Sequence, residues 1–375
     1  QDEGTFEPHL HFQSTSIAVD TQHACVLTLD GQAYCWGAGV SGKLGNDQVA
    51  ADTLPFLSPQ KVQQGSLRFI SIAAGLHHTC ALTIEGDAYC WGSQANGRLG
   101  NGTSATANVT TPVPVVGGHK FIQLVSGRRF NCGITVNQDA YCWGAAENTY
   151  APLGDGSGTL KAEPVLVAGG HKWLTLGAGN FHACGITTNY ETYCWGSGGA
   201  GRLGNGDETG TAQNTPVKVQ TDKKFVKIDG GNIHTCALTD EGEAWCWGGG
   251  ADYRLGTGTT DTTYVPAKVA TDVKFVDIQA TRFTTCALDV NGNAWCWGRH
   301  NRGQSGVGVF DSPIPTPMQV VGGHTFVELG GGVEATCGKT AEGKFYCWGR
   351  NNFGQIGDGT TTNRNEPTAV LAFPN

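Results

Sequence analysis

Fourteen cysteines offer the most obvious chemistry in this 375-residue chain, and they fall into seven pairs whose members stand ten residues apart. The pairs are Cys25 and Cys35, Cys80 and Cys90, Cys132 and Cys142, Cys184 and Cys194, Cys236 and Cys246, Cys286 and Cys296, and Cys337 and Cys347. Thiols so spaced could close disulfides, bind zinc or pack as small buried groups. Zinc sites are usually built from close C-x-x-C pairs, and none occurs. Setting Cys236 opposite Cys246 leaves Asp240-Glu241-Gly242 as a three-residue hairpin loop. Glycine in the third loop position suits the left-handed residue of such a turn, and directly opposed strand positions lie within disulfide reach. The spacing therefore predicts seven disulfides, one per pair, with seven pairs of buried thiols as the competing arrangement. Closing each loop is worth about 3 kcal/mol in a chain-entropy treatment, and such bridges imply an oxidising compartment. Gln138 and Tyr190 stand where the other hairpins carry glycine, which predicts a different turn type in the third and fourth pairs.

Histidines are the next candidates. His23, His78, His182 and His234 each precede the first cysteine of a pair by two residues. A metal site needs ligands that converge, whereas one histidine per repeat forms a spread-out column. The expectation is a hydrogen bond to a neighbouring backbone group, and no metal. His119, His171 and His324 follow Gly-Gly turns in three different repeats, so they do not converge either. No G-x-S-x-G, HExxH or phosphate-binding loop is present, and carboxylates are scattered at turns. These features point to a binding protein rather than an enzyme, with no cofactor.

What must position these residues is a unit written seven times, as in HTCALTIEGDAYCWG and HTCALTDEGEAWCWG. Successive second cysteines are separated by 55, 52, 52, 52, 50 and 51 residues, a period that signals a propeller or solenoid. Eight residues before each first cysteine stands Ile17, Ile72, Leu124, Leu176, Ile228, Ile278 or Leu329, marking a recurrent inward strand position. Glycine, 57 residues, is about twice its ordinary share, which with only 15% charged residues disfavours helical bundles and coiled coils. Within the fifth unit, PVKV, KFVKI, HTCALT and EAWCW read as four short strands divided by turns. The predicted fold is all-β: one seven-bladed propeller over 1–375, with four-stranded antiparallel blades near 14–45, 55–100, 112–154, 163–204, 215–256, 265–306 and 315–357. The segment 366–373 is expected to join the first blade beside Ser16–Val19 and close the ring, with His9–Phe12 as the rival for that place.

AAGLHHTCAL followed by GDAYCWGSQANGRLGNGT resembles the repeat of the regulator of chromosome condensation family, and the resemblance spans essentially the whole chain. It implies a seven-bladed propeller. It leaves function open, because that family includes a nuclear nucleotide-exchange factor, a plant UV-B photoreceptor and a bacterial propeller that inhibits β-lactamase. The paired cysteines depart from the nuclear type, and the Gly-Trp-Arg-His-Thr type of photoreceptor motif is absent.

In a meandering blade, the turns between the second and third strands of the unit and the long links between units emerge on one face. The tight hairpins lie opposite. Ten of the eleven arginines belong to the first face, while the hairpins carry Asp30, Glu85, Glu241 and similar acids. Lys43, Arg98, Arg202 and Arg254 share one repeat position before Leu-Gly and are expected to cap a turn. The irregular residues Arg128, Arg129, Arg282, Phe283, Arg299, His300, Arg302, Arg350 and Phe353 are the candidates for contacting a partner, since arginine and exposed aromatics are enriched at binding hot spots. Asn101-Gly-Thr and Asn108-Val-Thr are N-glycosylation sequons.

A net charge of −8 disfavours a nucleic-acid partner, and no apolar stretch is long enough for membrane insertion. The chain starts at Gln1 rather than Met, as expected if a secretory leader had been removed. The sequence thus predicts a secreted, extracellular protein that presents loops to an extracellular protein or glycan, with inhibition as one outcome of such binding. The alternative is a small-ligand carrier or lectin-like protein holding a pigment or glycan in the central channel or between blades.

Overall fold

The computed structural model describes residues 13–51, 53–145, 152–310 and 312–375. They form seven four-stranded antiparallel sheets, each an uninterrupted meander from the inside of the ring outwards. The fifth blade is typical: Phe225–Gly230 lines the axis, followed by His234–Thr239, Ala244–Gly248 and, outermost, Thr263–Lys268. Its register places Cys236 opposite Cys246 and Leu238 opposite Ala244, as the spacing predicts. All seven disulfides are formed, with Cα separations of 4.0–4.1 Å.

The hairpin turns correct one expectation. Gln138 and Tyr190 adopt φ of 65° and 63°, and their backbone amides donate to Thr135 O and Thr187 O just as Gly242 donates to Thr239 O. The third and fourth hairpins therefore keep the common turn, with side-chain-bearing residues in the left-handed position.

The blades also run one strand out of phase with the sequence units. The strand containing PVKV does not open the fifth blade. It is the outer strand of the fourth, with Val217 opposite Cys194. The C-terminal strand behaves alike: Arg364–Ala369 sets Thr368 opposite Cys347 and completes the seventh blade instead of joining Ser16–Val19. The cause is hydrogen bonding. Each CWG strand would otherwise leave its outward edge unpaired, and the chain satisfies that edge by turning back through the long link. The rival segment His9–Phe12 lies outside the described residues.

With no shared strand, the ring closes through packed side chains and through a backbone bond from Gly359 N to Leu57 O at 2.9 Å. In each long link a glycine in the left-handed region lies under the tryptophan of the following blade. A Cβ at Gly45 would fall 2.8 Å from Trp91 Nε1, and one at Gly357 would fall 2.7 Å from Trp36 Nε1. The contact from blade seven to blade one thus repeats the one between interior neighbours. Ser16 N and Oγ donate to the Glu328 carboxylate at 2.6 and 2.5 Å, Trp36 Nε1 donates to Gln355 O, and Phe373 stacks on Tyr34 at 4.7 Å. The seven indoles so covered (Trp36, Trp91, Trp143, Trp195, Trp247, Trp297 and Trp348) and Trp173 of an inner strand are fully buried in the core.

Candidate functional site

The connections settle which residues share a face. Ala38 N donates to Gln22 O, Ser93 N to His77 O and Arg299 N to Phe283 O, so every such pair joins a long link to a turn that follows an inner strand. These turns and links form one face; the hairpins form the other.

Beneath the long-loop face lies a repeated set of inter-blade hydrogen bonds. His182 Nε2 meets Thr235 Oγ1 of the next blade at 2.8 Å, and that hydroxyl donates to Arg202 O at 2.8 Å. His23 pairs with Thr79 and His234 with Thr285 in the same way, while His78 meets Asn131 Oδ1. The histidine column therefore binds side chains of the next blade rather than backbone groups. Burial lowers these imidazoles, to about 3 for His78 and His182, so they are neutral. Among the described residues no three His, Cys, Asp or Glu side chains gather as metal ligands.

The basic column before Leu-Gly caps turns, as its regularity suggests. Lys43 Nζ donates to Leu76 O, Arg202 Nη1 to Asn232 O and Arg254 Nη1 to Arg282 O, each in the next blade. Gln355 occupies the same position in the seventh link and reaches Thr21 O of the first blade at 3.2 Å. These side chains hold the inner turns in place and are buried beneath them.

The nine candidate contact residues all belong to the long-loop face, but they do not make one site. Arg282, Phe283 and Arg299 come together at blades five and six. The Phe283 ring has Arg299 at 3.6 Å, Arg282 at 4.7 Å and the buried Arg254 at 5.2 Å, three guanidinium groups around one aromatic. Asp252 takes Arg299 through contacts of 2.8 and 3.0 Å. Arg128 and Arg129 lie on the third blade, with Arg128 6.0 Å from the Phe181 ring of the fourth. On the last blade Arg350 is bound to Glu334 at 2.7 Å, and Phe353 is half-buried. Arg302 is exposed, whereas His300 is only 2% exposed, folded under its own link and removed from surface contact.

Aligning the inner turns reveals what the irregular-residue criterion missed. The position held by Arg128 and Arg282 is Asn180 in the fourth blade and Asn232 in the fifth. The next position holds Phe181, Ile233 and Phe283 in blades four to six, all half-buried. Backbone bonds join the turns laterally, Arg128 N to Asn180 O at 3.1 Å and Asn180 N to Gly231 O at 3.1 Å. Asn180 and Asn232 carry no charge and recur at a regular spacing, so only the alignment of turns could have found them.

Inside this mouth is a central cavity of about 390 Å³. Gln13 and Thr15 cross it toward the hairpin end. Gln13 N donates to Ile122 O, its Nε2 donates to Leu174 O at 2.6 Å, and Thr15 Oγ1 donates to Ile72 O. Side chains also cap the free edges of the inner strands: Gln123 accepts from Leu176 N, and Asp229 accepts from Ala280 N. Burial pushes the Asp229 carboxyl up to about 8, while Lys227 beside it pairs with Asp277 at 2.6 Å.

The hairpin face is less acidic than its sequence suggests, because lysines from neighbouring turns neutralise it. Lys120 pairs with Asp87, Lys172 with Asp139 at 2.7 Å and Lys218 with Glu191 at 3.3 Å. The two sequons also differ. Asn101 is half-buried and its Nδ2 donates to Gln94 Oε1 at 3.0 Å, whereas Asn108 is exposed at the start of an outer strand.

Residues 3–276 match the RCC1-like domain, and 275–304, 326–355 and 342–375 match the regulator of chromosome condensation (RCC1) repeat. The chain is 30% identical over 259 residues to the mitochondrial RCC1 domain-containing protein RUG3 of Arabidopsis thaliana, covering 66% of this chain and 57% of that relative. Prp20p from Saccharomyces cerevisiae superposes with a TM-score of 0.80 at 21% identity, over 92% of this chain and 87% of Prp20p. The CRINKLY WD40 ectodomain of the Arabidopsis thaliana receptor kinase ACR4 gives 0.56 at 21% identity, over 89% and 95%. By its matched domain, its repeats and its seven four-stranded blades, the chain belongs to the RCC1-like family of propellers.

Proposed function

We propose that this chain is a secreted binding protein that presents its long-loop face to an extracellular macromolecule. The observation that carries this reading is Phe283 surrounded by Arg254, Arg282 and Arg299 at the surface of a disulfide-clamped frame. A rigid frame reduces the ordering entropy lost when loops engage a partner, and arginine and aromatic residues are enriched at binding interfaces. Seven disulfides support an oxidising, extracellular setting. Two similar folds support protein binding outside or inside cells: Prp20p is described by its binding to Gsp1p and histones, and the ACR4 domain is an ectodomain. Inhibition of the bound partner is one form this binding would take. Affinity capture from extracellular fluid, followed by mass spectrometry, tests the reading. A partner held by the native chain and released by Arg299→Ala, Arg302→Ala and Arg350→Ala together supports it; undiminished capture rejects it.

The central cavity, about 390 Å³ and lined by polar and apolar groups, favours a second reading as a small-ligand carrier. Visible absorption of the purified protein, or binding on a glycan array, would support that alternative.

A further inference from the structure

The mouth of the channel is chemically lopsided. Its ring position is Val333, Thr21 and Leu76 in blades seven, one and two, but Arg128, Asn180, Asn232 and Arg282 in blades three to six. Val333 and Leu76 are buried, so that half offers little to a ligand. The other half is an arc of hydrogen-bond donors, with Asn180 Nδ2 donating to Asn232 Oδ1 at 3.3 Å between the two arginines. Behind the arc stand the half-buried Phe181, Ile233 and Phe283. Among the described residues neither Arg128 nor Arg282 has a carboxylate within ion-pair distance, although Asp252 and Glu334 nearby are taken by Arg299 and Arg350.

We propose that this arc on blades three to six is the docking site for an acidic segment of a protein partner, with carboxylates on Arg128 and Arg282 and an apolar side chain against Phe181 and Phe283. The inference rests on the long-loop face being the binding face and assigns the partner's chemistry. Charge complementarity commits the arc to an anionic occupant. Guanidinium forks bind carboxylates bidentately, and the phenyl rings hold the forks in orientation. The apolar row adds area that a free inorganic anion would not use. The lateral backbone bonds between turns keep the arc preorganised, so little ordering accompanies binding.

The test is fluorescence anisotropy with a labelled hexapeptide of alternating glutamate and phenylalanine, compared with its lysine-for-glutamate counterpart. The acidic peptide should bind, weaken with added salt and lose about tenfold in affinity when Arg128→Ala and Arg282→Ala are combined. Arg68→Ala, an exposed arginine beside the Gly31 hairpin on the opposite face, should leave binding unchanged, and Arg128→Lys with Arg282→Lys should restore part of it. Equal binding of both peptides, or affinity indifferent to the two arginines, overturns the proposal. So does a change in the chain's own mass by light scattering on substitution, which would make a second copy the occupant. If the peptide fails while the Arg299, Arg302 and Arg350 variant still releases a captured partner, the arc is wrong and the long-loop face stands. If only hairpin-face substitutions release that partner, the face itself is wrong.

Discussion

Gly357 of the last link lies against the indole of Trp36 in the first blade, with a backbone φ of 75°, and a Cβ there would fall only 2.7 Å from Nε1. This contact closes the ring at the one seam the chain does not cross. Gly357→Ala should therefore cost about 2–4 kcal/mol, adding steric contact to the left-handed penalty. Gly118 provides the control: its φ is 68° but nothing lies within 4 Å of its Cβ position. Gly118→Ala should cost about 1–2 kcal/mol, from backbone strain alone. Equal shifts in chemical denaturation would show that the indole contact adds nothing. Deleting residues 366–375 should lower the melting temperature sharply, because it removes most of the seventh blade's outer strand and the Phe373 stack on Tyr34.

Gln138 and Tyr190 carry side chains at φ of 65° and 63° in a turn that elsewhere holds Gly242 or Gly292. Replacing either by glycine should stabilise the chain by about 0.5–1 kcal/mol, the relief of left-handed strain exceeding the added freedom of the unfolded chain. A lowered denaturation midpoint would contradict this account of the two hairpins.

Two sets of buried groups give stability opposite dependences on pH. His78 and His182 have folded values near 3, below the ordinary 6.5, so the stability tied to their neutral forms is lost as pH falls below about 6.5. Between pH 7 and pH 5 each should remove on the order of 2 kcal/mol. Asp229 works the other way: its folded value is raised to about 8, so its contribution is present below pH 4 and lost as pH rises through 8. Asp229→Asn can still accept from Ala280 N, and its stability advantage over the native chain should be larger at pH 8 than at pH 5. Identical differences at both pH values in urea unfolding would refute a neutral Asp229.

Secretion from a eukaryotic host should add a glycan at Asn108 and none at Asn101. The first side chain is exposed, whereas the second is half-buried with its amide donating to Gln94. Glycosidase treatment and peptide mapping check this, and occupancy of Asn101 would count against the arrangement of that link.

The blade count, the hairpin register and every cysteine pairing were legible because they depend on local spacing, repeated seven times. The partner of Thr368 was not. A strand between two units reads the same whichever edge it joins, and only the unpaired edge of the CWG strand decides. The arginine column before Leu-Gly could be assigned a structural role from its regularity, as Arg254 on Arg282 O confirms. His300 looked like Arg299 and Arg302 in sequence, yet the fold of its link buries it. Asn180 and Asn232 escaped notice because neutral residues at a repeat position carry no signal until the turns are seen side by side around one mouth.

The central claim is that partners engage the long-loop face. Hydrogen–deuterium exchange on the chain with and without its captured partner tests this most directly. Protection should appear in the turns at 128–129, 180–181, 232–233 and 282–283 and in the link at 299–303. Protection confined to the opposite hairpins, at 84–87, 240–243 and 341–344, would contradict it.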